Sequence, residues 1–175
     1  ESEGTDYVGE FKNGMVHGYG VSTSGKGDIY RGQWLNDKAN GQGFMSLADG
    51  TVLEGEFKNN KLNGQGIAIG ANGNREEGRF ENGQLVFGKA SFPSGAIYEG
   101  QFVGKSLVEG KIIFTKSGNT QEGKFSDGSI VEGKVTFADS GDTYEGTFDK
   151  DGDLIEGKVI FGDSGSIYEG LWNKD

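Results

Sequence analysis

A five-residue phrase built around glycine returns down the whole chain at an almost constant interval, and that period restricts the fold more than any other feature. Tyr7-Val8-Gly9-Glu10-Phe11 is its first occurrence and Tyr168-Glu169-Gly170-Leu171-Trp172 its last. The central glycine stands at 9, 32, 55, 78, 100, 123, 146 and 170, in steps of 23, 23, 23, 22, 23, 23 and 24 residues. Such a period marks a repeat architecture, in which each unit buries its apolar face against its neighbours.

Within the phrase, Tyr (or a substitute), Gly and an aromatic occupy positions one, three and five. Alternation with period two is a strand signal, so these residues share one face. Turns follow, such as Lys12-Asn13-Gly14, Lys58-Asn59-Asn60 and Ser126-Asp127-Gly128, whose Asn, Asp and Gly tolerate the positive φ of a tight hairpin. A second strand comes next, in two dialects. Early units read Gly18-Tyr19-Gly20, Gly41-Gln42-Gly43 and Gly64-Gln65-Gly66, and later ones Gly110-Lys111-Ile112-Ile113-Phe114, Gly133-Lys134-Val135-Thr136-Phe137 and Gly157-Lys158-Val159-Ile160-Phe161. Gly88-Lys89-Ala90-Ser91-Phe92 is transitional. Each unit is a β-hairpin, and successive hairpins make one antiparallel meander, since two strands alone bury too little to be stable. The phrase glycine leaves room for a neighbouring aromatic over the backbone, so Gly→Val at Gly123 or Gly146 is expected to break the stacking.

Thirty-four glycines in 175 residues could signal disorder, but aromatics at 11%, placed periodically, argue for a packed chain. Without cysteine there is no disulfide framework and no thiolate metal site. No apolar run approaches the ~18 residues of a membrane helix, and no basic-apolar leader opens the chain. A net charge of -10 opposes nucleic acid and anionic lipid as partners, because both would repel it. Residues 1–6 read as a disordered or tag-derived lead-in, and 7–175 as one repeat domain. Its units are 7–29, 30–52, 53–75, 76–97, 98–120, 121–143, 144–167 and a partial 168–175, and the chain reads as a piece of something longer.

Tyr-Glu-Gly-x-Phe/Trp, then x-Asn-Gly, then His/Asn-Gly-x-Gly, then Asp/Ser-Gly, on this period, resembles the MORN repeat (membrane occupation and recognition nexus). Tyr7–Ile29 and Tyr30–Val52 carry the likeness best, including His17-Gly18-Tyr19-Gly20 and Ala48-Asp49-Gly50. From Val86 on the pattern departs, with Glu109-Gly110, Glu132-Gly133 and Glu156-Gly157 in place of His-Gly or Asn-Gly. Choline- or glucan-binding hairpin repeats are the nearest confusable family, but they depend on more tryptophan than Trp34 and Trp172. The resemblance implies an all-β, single-layer twisted meander of about seven and a half hairpins curved into an elongated trough. It further implies no enzyme activity and no cofactor in the repeats. The implied roles are scaffold, cytoskeletal component, homodimerisation module or targeting domain of a larger protein, in a cytoplasmic, cytoskeleton- or membrane-associated setting.

The candidate protein-binding residues are the tyrosines, tryptophans and phenylalanines of the trough: Tyr7, Tyr30, Trp34, Phe57, Tyr98, Phe102, Tyr144, Phe148, Tyr168 and Trp172. An aromatic face can take a partner's helix or peptide, although most such side chains serve simply to pack on one another. The open edge at Tyr168–Trp172 is a second candidate, for a partner protein or a homodimer. The opposite face presents Glu54, Glu77, Glu99, Glu122, Glu145 and Glu169 with Lys89, Lys111, Lys134 and Lys158, which reads as a solvated face of weak ion pairs. No carboxylate pair is set apart for acid-base chemistry. Asp149-Lys150-Asp151-Gly152-Asp153 with Glu156 resembles part of a calcium loop, but a turn with one inserted residue explains it as well. His17, the single histidine, lacks a distinguished catalytic partner. The expected function is a non-enzymatic scaffold for protein interaction or self-association. The alternative is a targeting module, at a membrane or elsewhere, of a protein whose activity lies outside this stretch.

Overall fold

The computed structural model describes residues 4–172. The strands are β1 (Thr5–Lys12), β2 (Met15–Ser24), β3 (Ile29–Leu35), β4 (Lys38–Ser46), β5 (Val52–Lys58), β6 (Lys61–Ile69), β7 (Arg75–Glu81), β8 (Gln84–Ser91), β9 (Ala96–Val103), β10 (Ser106–Phe114), β11 (Thr120–Ser126), β12 (Ser129–Thr136), β13 (Thr143–Phe148), β14 (Leu154–Ile160) and β15 (Ile167–Leu171). Spatial order follows chain order, as a meander requires. The period-two pattern therefore sets both strand identity and pairing. The lead-in is shorter than the sequence suggests: β1 starts at Thr5, which pairs with Ser24, and Asp6 pairs with Thr23. Residues 1–3 of the expected lead-in lie outside the described residues.

Packing divides the chain into a first unit ending at Gly88 and a second beginning at Lys89. Hairpin turns in the first unit place two residues at positive φ, as at Asn36 (49°) and Asp37 (63°) or Asn59 (51°) and Asn60 (67°). This is the twist-matched two-residue turn. In the second unit Asp127 (51°) and Gly128 (84°) do the same.

The two dialects differ by one residue in each half of the repeat. In the first unit Phe57 pairs with Leu62 and Gly55 with Gly66, so four steps separate Leu62 from Gly66. In the second, Phe125 pairs with Ile130 and Gly123 with Gly133, so three steps separate Ile130 from Gly133. The connecting loop compensates. Gly70 N–H donates to Asn74 O in the first unit, four residues on, whereas Phe137 N–H donates to Asp142 O in the second, five residues on. Both forms thus keep a 23-residue period. The one 22-residue step combines the short second strand (Leu85 to Gly88) with the short loop, in which Phe92 N–H donates to Ala96 O. The one 24-residue step has an extra turn residue, because Phe148 pairs with Leu154, six positions on, where Phe125 pairs with Ile130, five on.

Candidate protein-interaction surface

One face of each unit carries the phrase aromatics and the aliphatic residues opposite them. In the first unit Phe57, Leu62, Phe80 and Leu85 are buried, and in the second Phe102, Leu107, Ile112, Phe125, Ile130 and Phe148. A single-layer sheet has only its own side chains to cover this face, so the phenylalanine of one strand lies against the Leu or Ile of the next. Bulk at position five, set by alternation, is what makes the row continuous.

Tyrosine at position one follows two courses. Tyr30 is buried, packing edge-on against Trp34 (5.0 Å) and Phe57 (5.1 Å). Its hydroxyl donates to Gln33 O at 3.0 Å and lies over Gly43, where a Cβ would strike the ring. Burial pushes the Tyr30 hydroxyl up to about 12, with Tyr19 adding to the effect. Partial desolvation and Glu10 also raise Tyr7, whose hydroxyl donates to Glu10 O. In the second unit Tyr98, Tyr144 and Tyr168 turn toward Phe92 (5.0 Å), Phe137 (5.2 Å) and Phe161 (5.7 Å) at the ends of the preceding strands. The space over the glycine is closed by backbone instead: a Cβ on Gly123 or Gly133 would meet the carbonyl oxygens of Glu132 or Glu122 well under 3 Å. The expectation that an aromatic lies over Gly123 and Gly146 is corrected accordingly. These glycines are required by backbone contact and by φ of 148° and 154°.

Of the ten candidate aromatics, Tyr30, Phe57, Phe102 and Phe148 are buried and present little to a partner. Tyr7, Trp34, Tyr98, Tyr144 and Trp172 are half-buried, and Tyr168 is exposed. The indole N–H groups are also engaged, Trp34 with Gly20 O at 3.3 Å and Trp172 with Gly157 O at 3.2 Å. A cleft of about 610 Å³ is lined by Tyr98, Phe114, Thr115, Lys116, Ser117 and Asn119.

The other face falls into rows across the strands. In the second unit Glu99, Lys111, Glu122, Lys134, Glu145, Lys158 and Glu169 are successive cross-strand partners. Lys158 reaches Glu145 at 3.1 Å. One row over, Lys124 bonds Glu132 at 2.7 Å, which raises the Lys124 pKa. In the first unit the same row reads Val8, Val21, Arg31, Phe44, Glu54, Ile67 and Glu77. Val8, Tyr19, Val21 and Phe44 are exposed there (77, 60, 37 and 39%). The aromatic stripe drew attention away from these residues. The signal was nonetheless present: the residue after the second-strand glycine is Val21, Phe44 and Ile67 early, and Lys111, Lys134 and Lys158 late.

The remaining candidates are structural. Asp149 Oδ1 accepts from Asp151 N–H (2.9 Å) and Asp153 N–H (3.0 Å), closing the turn with its inserted residue. No group of three metal-ligating side chains occurs among the described residues. His17 is half-buried in β2, and its Nδ1 has no hydrogen-bond partner among them.

The family model for the MORN repeat matches at residues 7–29, 30–52 and 54–75. Residues 7–75 carry MORN repeats. The three matched MORN units coincide with the hairpins β1–β2, β3–β4 and β5–β6, and the later hairpins continue the same meander in the second dialect. No curated protein matches the chain. MORN repeats are a protein- and membrane-interaction module rather than an enzyme family. Among the described residues no helix is long and apolar enough to cross a membrane.

Proposed function

We propose that this chain is a non-enzymatic scaffold that binds protein, either a different chain or a second copy, through the faces of its MORN sheet. The observation that carries the reading is the contrast between the two faces of the first unit. Phe57 and Phe80 of one face are consumed by packing, while Tyr19, Val21 and Phe44 stand exposed on the other. Clustered exposed apolar residues mark interaction surfaces. The half-buried Tyr98 and Tyr144 offer a lesser, cleft-like contact. Charge supports protein over lipid, since a net -10 is repelled by anionic headgroups.

The test pairs native cross-linking of the full chain with flotation on vesicles containing phosphatidylserine at low salt. A defined cross-linked protein species and no co-flotation is the expected result. Strong, salt-sensitive flotation with no protein species overturns the reading in favour of a membrane-targeting module.

A further inference from the structure

The outer row of the first unit is nearly self-complementary when read backwards. Across β1 to β7 it runs Val8, Val21, Arg31, Phe44, Glu54, Ile67, Glu77. Reversed about Phe44, Arg31 meets Glu54, Val21 meets Ile67 and Phe44 meets itself. The row alongside, Asp6, Thr23, Ile29, Ser46, Val52, Ile69, Arg75, follows the same rule. Asp6 meets Arg75, Thr23 meets Ile69, Ile29 meets Val52 and Ser46 meets itself. Only Val8 against Glu77, at the rim, is unmatched.

We propose that the outer face of the first unit binds a second copy of this chain, about a two-fold axis that runs parallel to the strands and passes over Phe44. Such an axis keeps position along each strand and reverses strand order, which is the operation that produces these pairings. It is also what an isologous interface demands, each contact occurring twice. Seven strands ~4.8 Å apart, carrying two rows ~7 Å apart, present roughly 470 Å² per copy, close to the ~1,000 Å² total of a specific interface. Sheets packed face to face bring such side chains together at about 10 Å separation. Arg31 and Glu54 have no ion-pair partner among the described residues, so each is available to the other copy. The second unit lacks this feature, because its matching row reversed about Lys134 sets Glu122 against Glu145 and Lys111 against Lys158.

The inference rests on the scaffold reading and names its partner. The test is sedimentation velocity of the full chain over about 1–100 µM, the range in which an interface of this size dissociates. A dimer is expected, lost in Phe44→Asp. Arg31→Glu and Glu54→Arg should each weaken it about tenfold or more by setting like charges face to face. The double variant R31E/E54R should restore it, a rescue that only cross-copy contact explains. Unchanged circular dichroism and melting in all variants separate loss of contact from loss of fold. A chain monomeric throughout, a dimer indifferent to Phe44→Asp, or a swap without rescue overturns the inference. None of these outcomes touches the scaffold reading, which falls only on the vesicle result.

Discussion

In the first two hairpins a tyrosine ring lies over the paired glycines, whereas in the second unit the neighbouring backbone closes the gap and the tyrosine turns away. One motif has therefore been packed in two ways. Where the ring comes in, as with Tyr30 over Gly43, the second strand carries a longer bulge and the connecting loop is short. Where the backbone comes in, as at Gly123 and Gly133, the bulge is short and the loop long. Lateral bonds brace the repeats at both ends. The first unit ties its hairpin turns together: Val16 N–H to Asp37 Oδ1 at 2.7 Å, Ala39 N–H to Asn60 Oδ1 at 2.7 Å, and Gly83 N–H to Leu62 O at 2.8 Å. Connecting loops are tied in both units: Ala48 N–H to Asp28 Oδ1 at 2.9 Å in the first, and Ala138 N–H to Asn119 Oδ1 at 3.0 Å and Gly162 N–H to Asp142 Oδ1 at 2.9 Å in the second. A repeat thus keeps its period by shifting one residue between its two ends.

The comparison can be broken most sharply at the glycines. Gly133→Ala should cost about 4 kcal/mol or more, because a rigid carbonyl blocks its Cβ and its φ of 145° is strained for any L side chain. Gly43→Ala should cost less, about 1–3 kcal/mol, since it meets a tyrosine ring that can shift. Urea denaturation of the two variants checks the order, and equal losses would show that both glycines serve one purpose.

Alkaline pH should be the next largest probe. The Tyr30 hydroxyl is raised to about 12 in the folded chain and takes its ordinary value near 10 when unfolded. Its neutral form is therefore favoured by folding. That contribution is complete below about pH 10 and is lost as pH rises through about 12, amounting to roughly 2 kcal/mol. Chemical denaturation at pH 9 and pH 11 should show the loss in the parent chain and a smaller loss in Tyr30→Phe.

Removing a lateral brace should cost about 1–2 kcal/mol, since it orphans a backbone N–H. Asn60→Ala should act at the hairpin turns and Asn119→Ala at the loops. Hydrogen exchange should rise at Ala39 in the first variant and at Ala138 in the second, without crossing over. The smallest effect is expected on deleting Lys150, which returns the turn after Phe148 to the length found after Phe125. A loop shortened by one residue changes closure entropy by only a few tenths of a kcal/mol, and a large loss of melting temperature would instead assign that turn a role of its own.

Strand identity, strand order and the buried face were legible in the sequence, because alternation and a constant period constrain them directly. The length of each unit was legible too, including the odd steps of 22 and 24. Their cause was not, since bulge and loop lengths trade against each other within an unchanged total. Which of the candidate aromatics stay accessible was not legible, for a related reason. Aromatic content flagged Phe57, Phe102 and Phe148, but a single-layer sheet spends such side chains on its own cohesion. The exposed apolar row of Val21 and Phe44 sits at positions read as the solvated face from the later repeats. What the sequence determined by itself was the hairpin, its period and which residues share a face, all consequences of local geometry. Only the tertiary structure decided whether a ring or a backbone fills the space above each glycine, and hence which aromatics are consumed and which side chains are left facing outward. Those outcomes depend on what the adjoining strand brings within contact distance, and no local pattern records that.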